Sequence, residues 1–263
     1  MSDPRSTPDP ALVTEETPAS IIQPVADLCR RPGLPRERQL LMGEAVTVMG
    51  RKDGWCYLKA EKDGFCGHVQ ETAIGRAQTP THRVSAPACH AYLEPSIKMG
   101  ERHSLSLGSR VTVTGTEGRF ADTPLGFIPQ VHLAPLDQNK SDPAAVAALL
   151  LGTPYLWGGN TRWGIDCSGL VQAALLACGI PCPGDSDQQL CVGDPASGPY
   201  RRNDLLFWKG HVALVSDPET MIHANAHSMS VAYEPIATAI ARIEAAGDGK
   251  VTAHRRIASL SGR

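Results

Sequence analysis

The sequence predicts an α+β protein in which two small β-barrels precede a domain of helices and strands. Three observations predict it. Two Asp-Gly turns, Asp53-Gly54 and Asp63-Gly64, separate runs with period-2 alternation, the pattern of consecutive hairpins. A weaker copy follows, in which Gly108-Ser109-Arg110-Val111-Thr112-Val113 reproduces Gly43-Glu44-Ala45-Val46-Thr47-Val48. Beyond residue 142 the period changes, and the run Leu170 to Cys178 places apolar residues at helical spacing.

At 263 residues the chain exceeds one average domain. The leader 1–20 carries four prolines and little that packs, so a flexible segment is expected. Strands over 40–49, 52–59 and 62–69 place a first barrel at 21–78. The copy, with strands over 108–115 and 125–129, places a second at 79–136, a duplication too long in period for a solenoid. A polar stretch, Asp137 to Ser141, opens the third domain, 137–263. There Asp142 is the expected cap of a helix through Leu151, with Pro143 at its first position. Asp166 caps the helix that begins at Cys167, and Gly179 with Pro181 stops it. A turn at 181–189 enters a short helix. Strand, turn and strand follow from Leu205 to Val215, then a strand at 221–227, an alanine-rich helix at 236–246 and a closing strand at 251–257.

Composition excludes several function classes. The 25 basic and 27 acidic residues are spread along the chain, with no basic block for nucleic acid or anionic membrane. No stretch approaches about 18 uninterrupted apolar residues, the length of a membrane span. The first twenty residues lack the basic start and apolar centre of a secretory signal, so a cytoplasmic location is expected. The eight cysteines are then expected to be reduced; Cys56 and Cys66 read as buried hydrophobes rather than a pair across a hairpin. Their spacings form no zinc site, and no metal or other cofactor is expected.

Chemistry concentrates at Asp166-Cys167-Ser168-Gly169. Cys167 falls in a first helical turn, where unpaired N–H groups and the positive end of the helix dipole favour a thiolate. Downstream, His211 opens a strand and is a candidate base. On the next strand His223, Asn225 and His227 share a face, and any one of them is placed to orient it.

These residues resemble the NlpC/P60 cysteine peptidases. Tyr155-Leu156-Trp157-Gly158-Gly159, Asp166-Cys167-Ser168-Gly169-Leu170-Val171, Asp204-Leu205-Leu206-Phe207, His211-Val212-Ala213-Leu214-Val215 and Ile222-His223-Ala224 occur in that family's order and spacing, across roughly 142–258. One departure is Asn203, where the family usually has glycine. The first half resembles bacterial SH3-like barrels, through the Gly-Glu, Asp-Gly-Trp and Gly-x-Val stretches.

The resemblance implies a papain-like catalytic domain that hydrolyses the γ-D-glutamyl bond to a diamino acid in cell-wall stem peptides. It makes Cys167 the nucleophile, His211 the base, His223 the residue that orients it, and Tyr155 a hydroxyl near the oxyanion site. Trp157, Asp166, Ser168 and Asp185 join the oxyanion and substrate-binding set. Relatives with SH3-like domains admit a peptide with a free N-terminal L-alanine, and Glu44 is the candidate carboxylate for its ammonium. A murein-derived peptide is therefore the expected partner, the chain a monomer, and its role the recycling of wall peptides. The alternatives are an exported hydrolase of intact wall and a non-catalytic wall-binding protein.

Overall fold

The computed structural model describes residues 3–257. The chain divides into two compact units, Met1–Gln138 and Asn139–Arg263.

In the first unit a seven-stranded antiparallel sheet runs in the order Arg36–Leu41, Val25–Cys29, Cys66–Gln70, Trp55–Ala60, Ala45–Lys52, Thr17–Ile21, Ile74–Arg76. Asp53 and Gly54 both adopt left-handed backbone, φ 50° and 79°, as a two-residue type I′ turn requires, and Lys52 faces Trp55 across it. Alternate side chains, among them Ile21, Leu28, Leu40, Val48, Leu58 and Val69, bury against Phe65. Cys56 and Cys66 are buried but not opposite each other, since Cys56 faces Val69 and Cys66 faces Lys59.

The leader departs from the flexible segment expected. Residues 17–20 lie in the Thr17–Ile21 strand, and the segment before it packs on the sheet. Asp9 donates its N–H to the Tyr57 hydroxyl at 2.9 Å, Cys66 N–H reaches the Arg5 carbonyl at 2.6 Å, and Thr14 N–H reaches the Met49 carbonyl at 2.7 Å. Val13 packs on Met49, Tyr57 and Cys66. Prolines reduce the entropy lost when such a segment is fixed, and the sheet supplies the partners that composition cannot reveal.

The second half of this unit repeats the strand order. Glu101–Ser106, Ala88–Tyr92, Gly126–Pro129, Phe120–Thr123 and Gly115–Glu117 form a five-stranded sheet. Arg110–Val111, His82–Val84 and Leu133–Pro135 form a separate three-stranded one. The strand expected over 108–115 is therefore interrupted. Side chains there replace backbone partners, with Val113 N–H donating to the Thr81 hydroxyl and the Thr112 hydroxyl to the Thr79 carbonyl.

The second unit is built on a six-stranded antiparallel sheet ordered Asp194–Pro195, Ala253–Arg256, Leu205–Trp208, His211–Asp217, Thr220–Asn225, Ser230–Pro235. Helices α1 (Pro143–Ala148) and α2 (Cys167–Ala177) lie against its centre. Helix α3 (Ile236–Ala245) packs Ile236, Ala239 and Ile243 on Leu206, Ala213, Val215 and Met221. The short helix after 181–189 is a single 3-10 turn, Gln188–Cys191.

Asp142 precedes α1 but does not cap it through its side chain. Its carboxylate is drawn away by Arg202, with contacts of 2.7 to 3.1 Å. The N–H of Ala144 is taken instead by the Asn203 side-chain oxygen at 2.8 Å. The closing strand, second from one edge of the sheet, is pinned by Asp204, which accepts Arg256 through both oxygens and His254 at 2.6 Å.

Candidate active site

The site begins with a close approach of two backbones. A Cβ on Gly169 would lie 2.5 Å from the Gly159 carbonyl oxygen, so a glycine in the first turn of α2 is what lets the glycine-rich loop seat there. Asp166 ties the two together. Its Oδ1 accepts the Gly169 N–H at 2.6 Å and the Ser168 hydroxyl at 3.1 Å, and its Oδ2 accepts the Gly158 N–H at 2.9 Å. Asp166 is thus the cap expected, and Ser168 is buried with its hydroxyl spent on that cap.

Cys167 is 7% exposed. Its thiol is pushed up to about 12, chiefly by burial and further by the Asp166 carboxylate, against the pull of the Val212, Ser168 and Cys167 N–H groups. Burial therefore opposes the thiolate expected at this helix mouth, while the three N–H groups favour it. The Val212 contact has a topological source. Pairing between the His211–Asp217 and Thr220–Asn225 strands runs from Leu214 and Ile222 onward, so the Val212 N–H lies outside that ladder and turns to the sulfur.

His211 is therefore the residue adjacent to the one that bonds the sulfur. Its Nε2 meets His223 Nδ1 at 2.9 Å, and the Trp208 ring lies against it with centroids 5.7 Å apart. Burial, then the neighbouring His223, pushes the His211 imidazole down to about 3. Burial likewise takes the His223 imidazole to about 4, against Glu234. Burial thus disfavours the charged form of all three groups, the thiolate and both imidazoliums.

Of the three candidates on the 221–227 stretch, His223 alone reaches His211. The Asn225 side chain instead accepts the Ser228 N–H and hydroxyl. Behind His223 stand two residues that sequence reasoning missed. His223 Nε2 lies 3.0 Å from Glu234 Oε2, and Arg242 bonds both Glu234 oxygens, at 2.9 and 2.8 Å. The signal available was the alternation of Ser230 to Glu234, a strand that the sequence reading left unassigned.

The Tyr155 hydroxyl is pushed up to about 12 by burial, with the charges of Cys167 and Asp166 adding to it. Trp157, on the same loop, is 69% exposed. Asp185 accepts the Gln189 N–H through its carbonyl at the start of the 3-10 turn. Glu44 belongs to the first unit, where Lys62 bonds its Oε1 at 2.7 Å and Oε2 is buried with no partner.

The comparisons agree with this construction. The NlpC/P60 family matches residues 152–246, and the bacterial dipeptidyl-peptidase Sh3 domain matches residues 28–74. The chain is 28% identical over 215 residues to the gamma-D-glutamyl-L-lysine dipeptidyl-peptidase of Bacillus subtilis, covering 72% of each chain. It is 25% identical over 241 residues to dipeptidyl-peptidase 6 of Lysinibacillus sphaericus, covering 79% of this chain and 87% of that one. Its fold is similar to the crystal structure of an NlpC/P60 family protein from Bacillus cereus, with a TM-score of 0.77 at 22% identity over 91% of this chain and 99% of that chain. The chain thus carries an NlpC/P60 domain over residues 152–246, preceded in sequence by a bacterial dipeptidyl-peptidase SH3 domain over 28–74.

Proposed function

We propose that the protein is an endopeptidase that hydrolyses the γ-D-glutamyl bond to a diamino acid in murein stem peptides. The observation that carries this reading is the 2.9 Å contact of His211 Nε2 with His223 Nδ1, His211 lying on the strand whose next N–H bonds the Cys167 sulfur. In this reading the Cys167 thiol loses its proton to His211 as sulfur attacks the γ-carbonyl. The S–H bond breaks, an S–C bond forms, and the oxyanion is held by N–H groups at the α2 start, beside the Tyr155 hydroxyl. The imidazolium then protonates the leaving amine, and water releases the acyl group.

Two relatives named gamma-D-glutamyl-L-lysine dipeptidyl-peptidase and dipeptidyl-peptidase 6 support a substrate opened two residues from its amino end. A free N-terminal L-alanine follows, its ammonium requiring a carboxylate partner. Residues 79–136 we read as a second SH3-like barrel, because their five-stranded sheet repeats the strand order of the first. The domains are then a leader at 1–20, barrels at 21–78 and 79–136, and a peptidase domain at 137–263. A monomeric, cytoplasmic enzyme that recycles released wall peptides is the role proposed; fractionation of cells followed by immunodetection tests the location.

Mass spectrometry of products tests the specificity. L-Ala-γ-D-Glu-L-Lys and its diaminopimelate counterpart should release L-Ala-D-Glu, and their N-acetylated forms should resist. Equal rates on free and acetylated peptides would remove the amine requirement.

A further inference from the structure

The hydrogen-bond chain does not stop at the second histidine. Register places Trp208 opposite His211 and His223 opposite Ala232, and Glu234 stands two residues beyond Ala232 on the same face. Glu234 is thus a diagonal neighbour of His223, within reach of a long side chain. Its carboxylate sits in the fork of Arg242, and the Arg242 hydrogen bonds outweigh burial to keep it below the usual carboxylate range.

An ionised carboxylate only accepts hydrogen bonds. His223 Nε2 therefore donates to Glu234. A neutral imidazole has one N–H, so His223 Nδ1 is an acceptor, and the His211 nitrogen facing it must donate. That spends the single proton of His211 on Nε2 and leaves Nδ1 as a bare lone pair. We propose that Glu234, clamped by Arg242, is a positioning residue that sets the tautomers of both histidines, so that His211 offers an unprotonated Nδ1 to the Cys167 thiol.

This inference rests on the peptidase reading and adds a direction to it. The opposite tautomer would point an N–H at the thiol and block proton uptake. Arg242 confines Glu234 to this task. By balancing the carboxylate's charge, it keeps the pair from drawing a proton onto either ring; His227 beside His223 and Asp248 beside Arg242 are the other ionisable groups near the chain. The role is thus unlike that of a lone buried carboxylate, which would also stabilise an imidazolium.

Imidazole 15N shifts report tautomers directly. In the full-length wild-type protein near pH 7, His211 and His223 should both show protonated Nε2 and bare Nδ1. In Glu234→Gln the Arg242 fork holds the amide oxygen, the amide N–H turns to His223, and both rings should flip to the Nδ1–H form. The kcat should fall about 10- to 1,000-fold with KM within about twofold, since binding is not touched. Arg242→Gln should keep the tautomers and move the acid limb of kcat/KM to higher pH. Wild-type Nδ1–H rings, or a Glu234→Gln protein with wild-type tautomers and kcat, would overturn the proposal. A Cys167→Ala protein that still hydrolyses peptide would instead overturn the proposed role of Cys167 as nucleophile, leaving the tautomer result standing.

Discussion

The Asn203 side-chain oxygen accepts the Ala144 N–H at 2.8 Å from a left-handed backbone, φ 72°. One residue thus performs two jobs: it makes the turn into Asp204 and caps a helix some sixty positions earlier. Asparagine is among the few residues besides glycine that visit this region readily. Asn203→Gly should keep the turn and lose the cap, costing about 1 kcal/mol, whereas Asn203→Ala should lose the cap and strain the turn, costing about 2 to 3 kcal/mol. Urea denaturation measures both, and an alanine variant as stable as the glycine variant would count against the turn argument.

That position also shows what the sequence makes legible. Cys167 and His211 are readable because each lies at an element boundary marked by local chemistry, a capping aspartate for one and a two-residue turn, Lys209-Gly210, for the other. Glu234 and Arg242 are not, because their value depends on the register between the Thr220–Asn225 and Ser230–Pro235 strands and on the docking of α3. Nor does helix position by itself set the charge state of Cys167. Helix position is local, but desolvation is set by everything packed around the sulfur.

A neutral thiol and imidazole react differently from an ion pair. With Cys167 near 12 and His211 near 3, the rate of inactivation by iodoacetamide should climb steadily with pH through about pH 9. A plateau between about pH 4 and pH 8 would instead reveal a thiolate–imidazolium pair.

Asp204 predicts an acid limit on stability. Burial pushes its pKa up, but hydrogen bonds from Arg256 and His254 outweigh this and hold it below the usual value. A carboxylate depressed on folding stabilises above its unfolded pKa, and that contribution is lost as pH falls through the folded one. Asp204→Asn should therefore destabilise the fold near pH 7, where Arg256 and His254 lose their anionic acceptor, and progressively less as pH drops below about 4. A penalty independent of pH would show that the contribution is not ionic.

Gly169→Ala probes the seat of the glycine-rich loop. The added methyl would meet the Gly159 carbonyl oxygen, a backbone atom, at 2.5 Å and crowd the Asn160 and Asp166 side chains at 3.0 and 3.1 Å. Peptidase activity should drop at least tenfold, because misplacing reacting groups by about 1 Å costs on the order of a hundredfold. Retained activity would show that this approach does not position Cys167.

The central claim is that Cys167 makes the bond to substrate. The direct measurement is intact-protein mass spectrometry during turnover of L-Ala-γ-D-Glu-L-Lys and its diaminopimelate counterpart, quenched in acid. The wild-type chain should gain the mass of an L-Ala-γ-D-glutamyl group, located at Cys167 by fragmentation, while Cys167→Ala gains nothing and releases no dipeptide. Undiminished dipeptide release by Cys167→Ala would contradict the account.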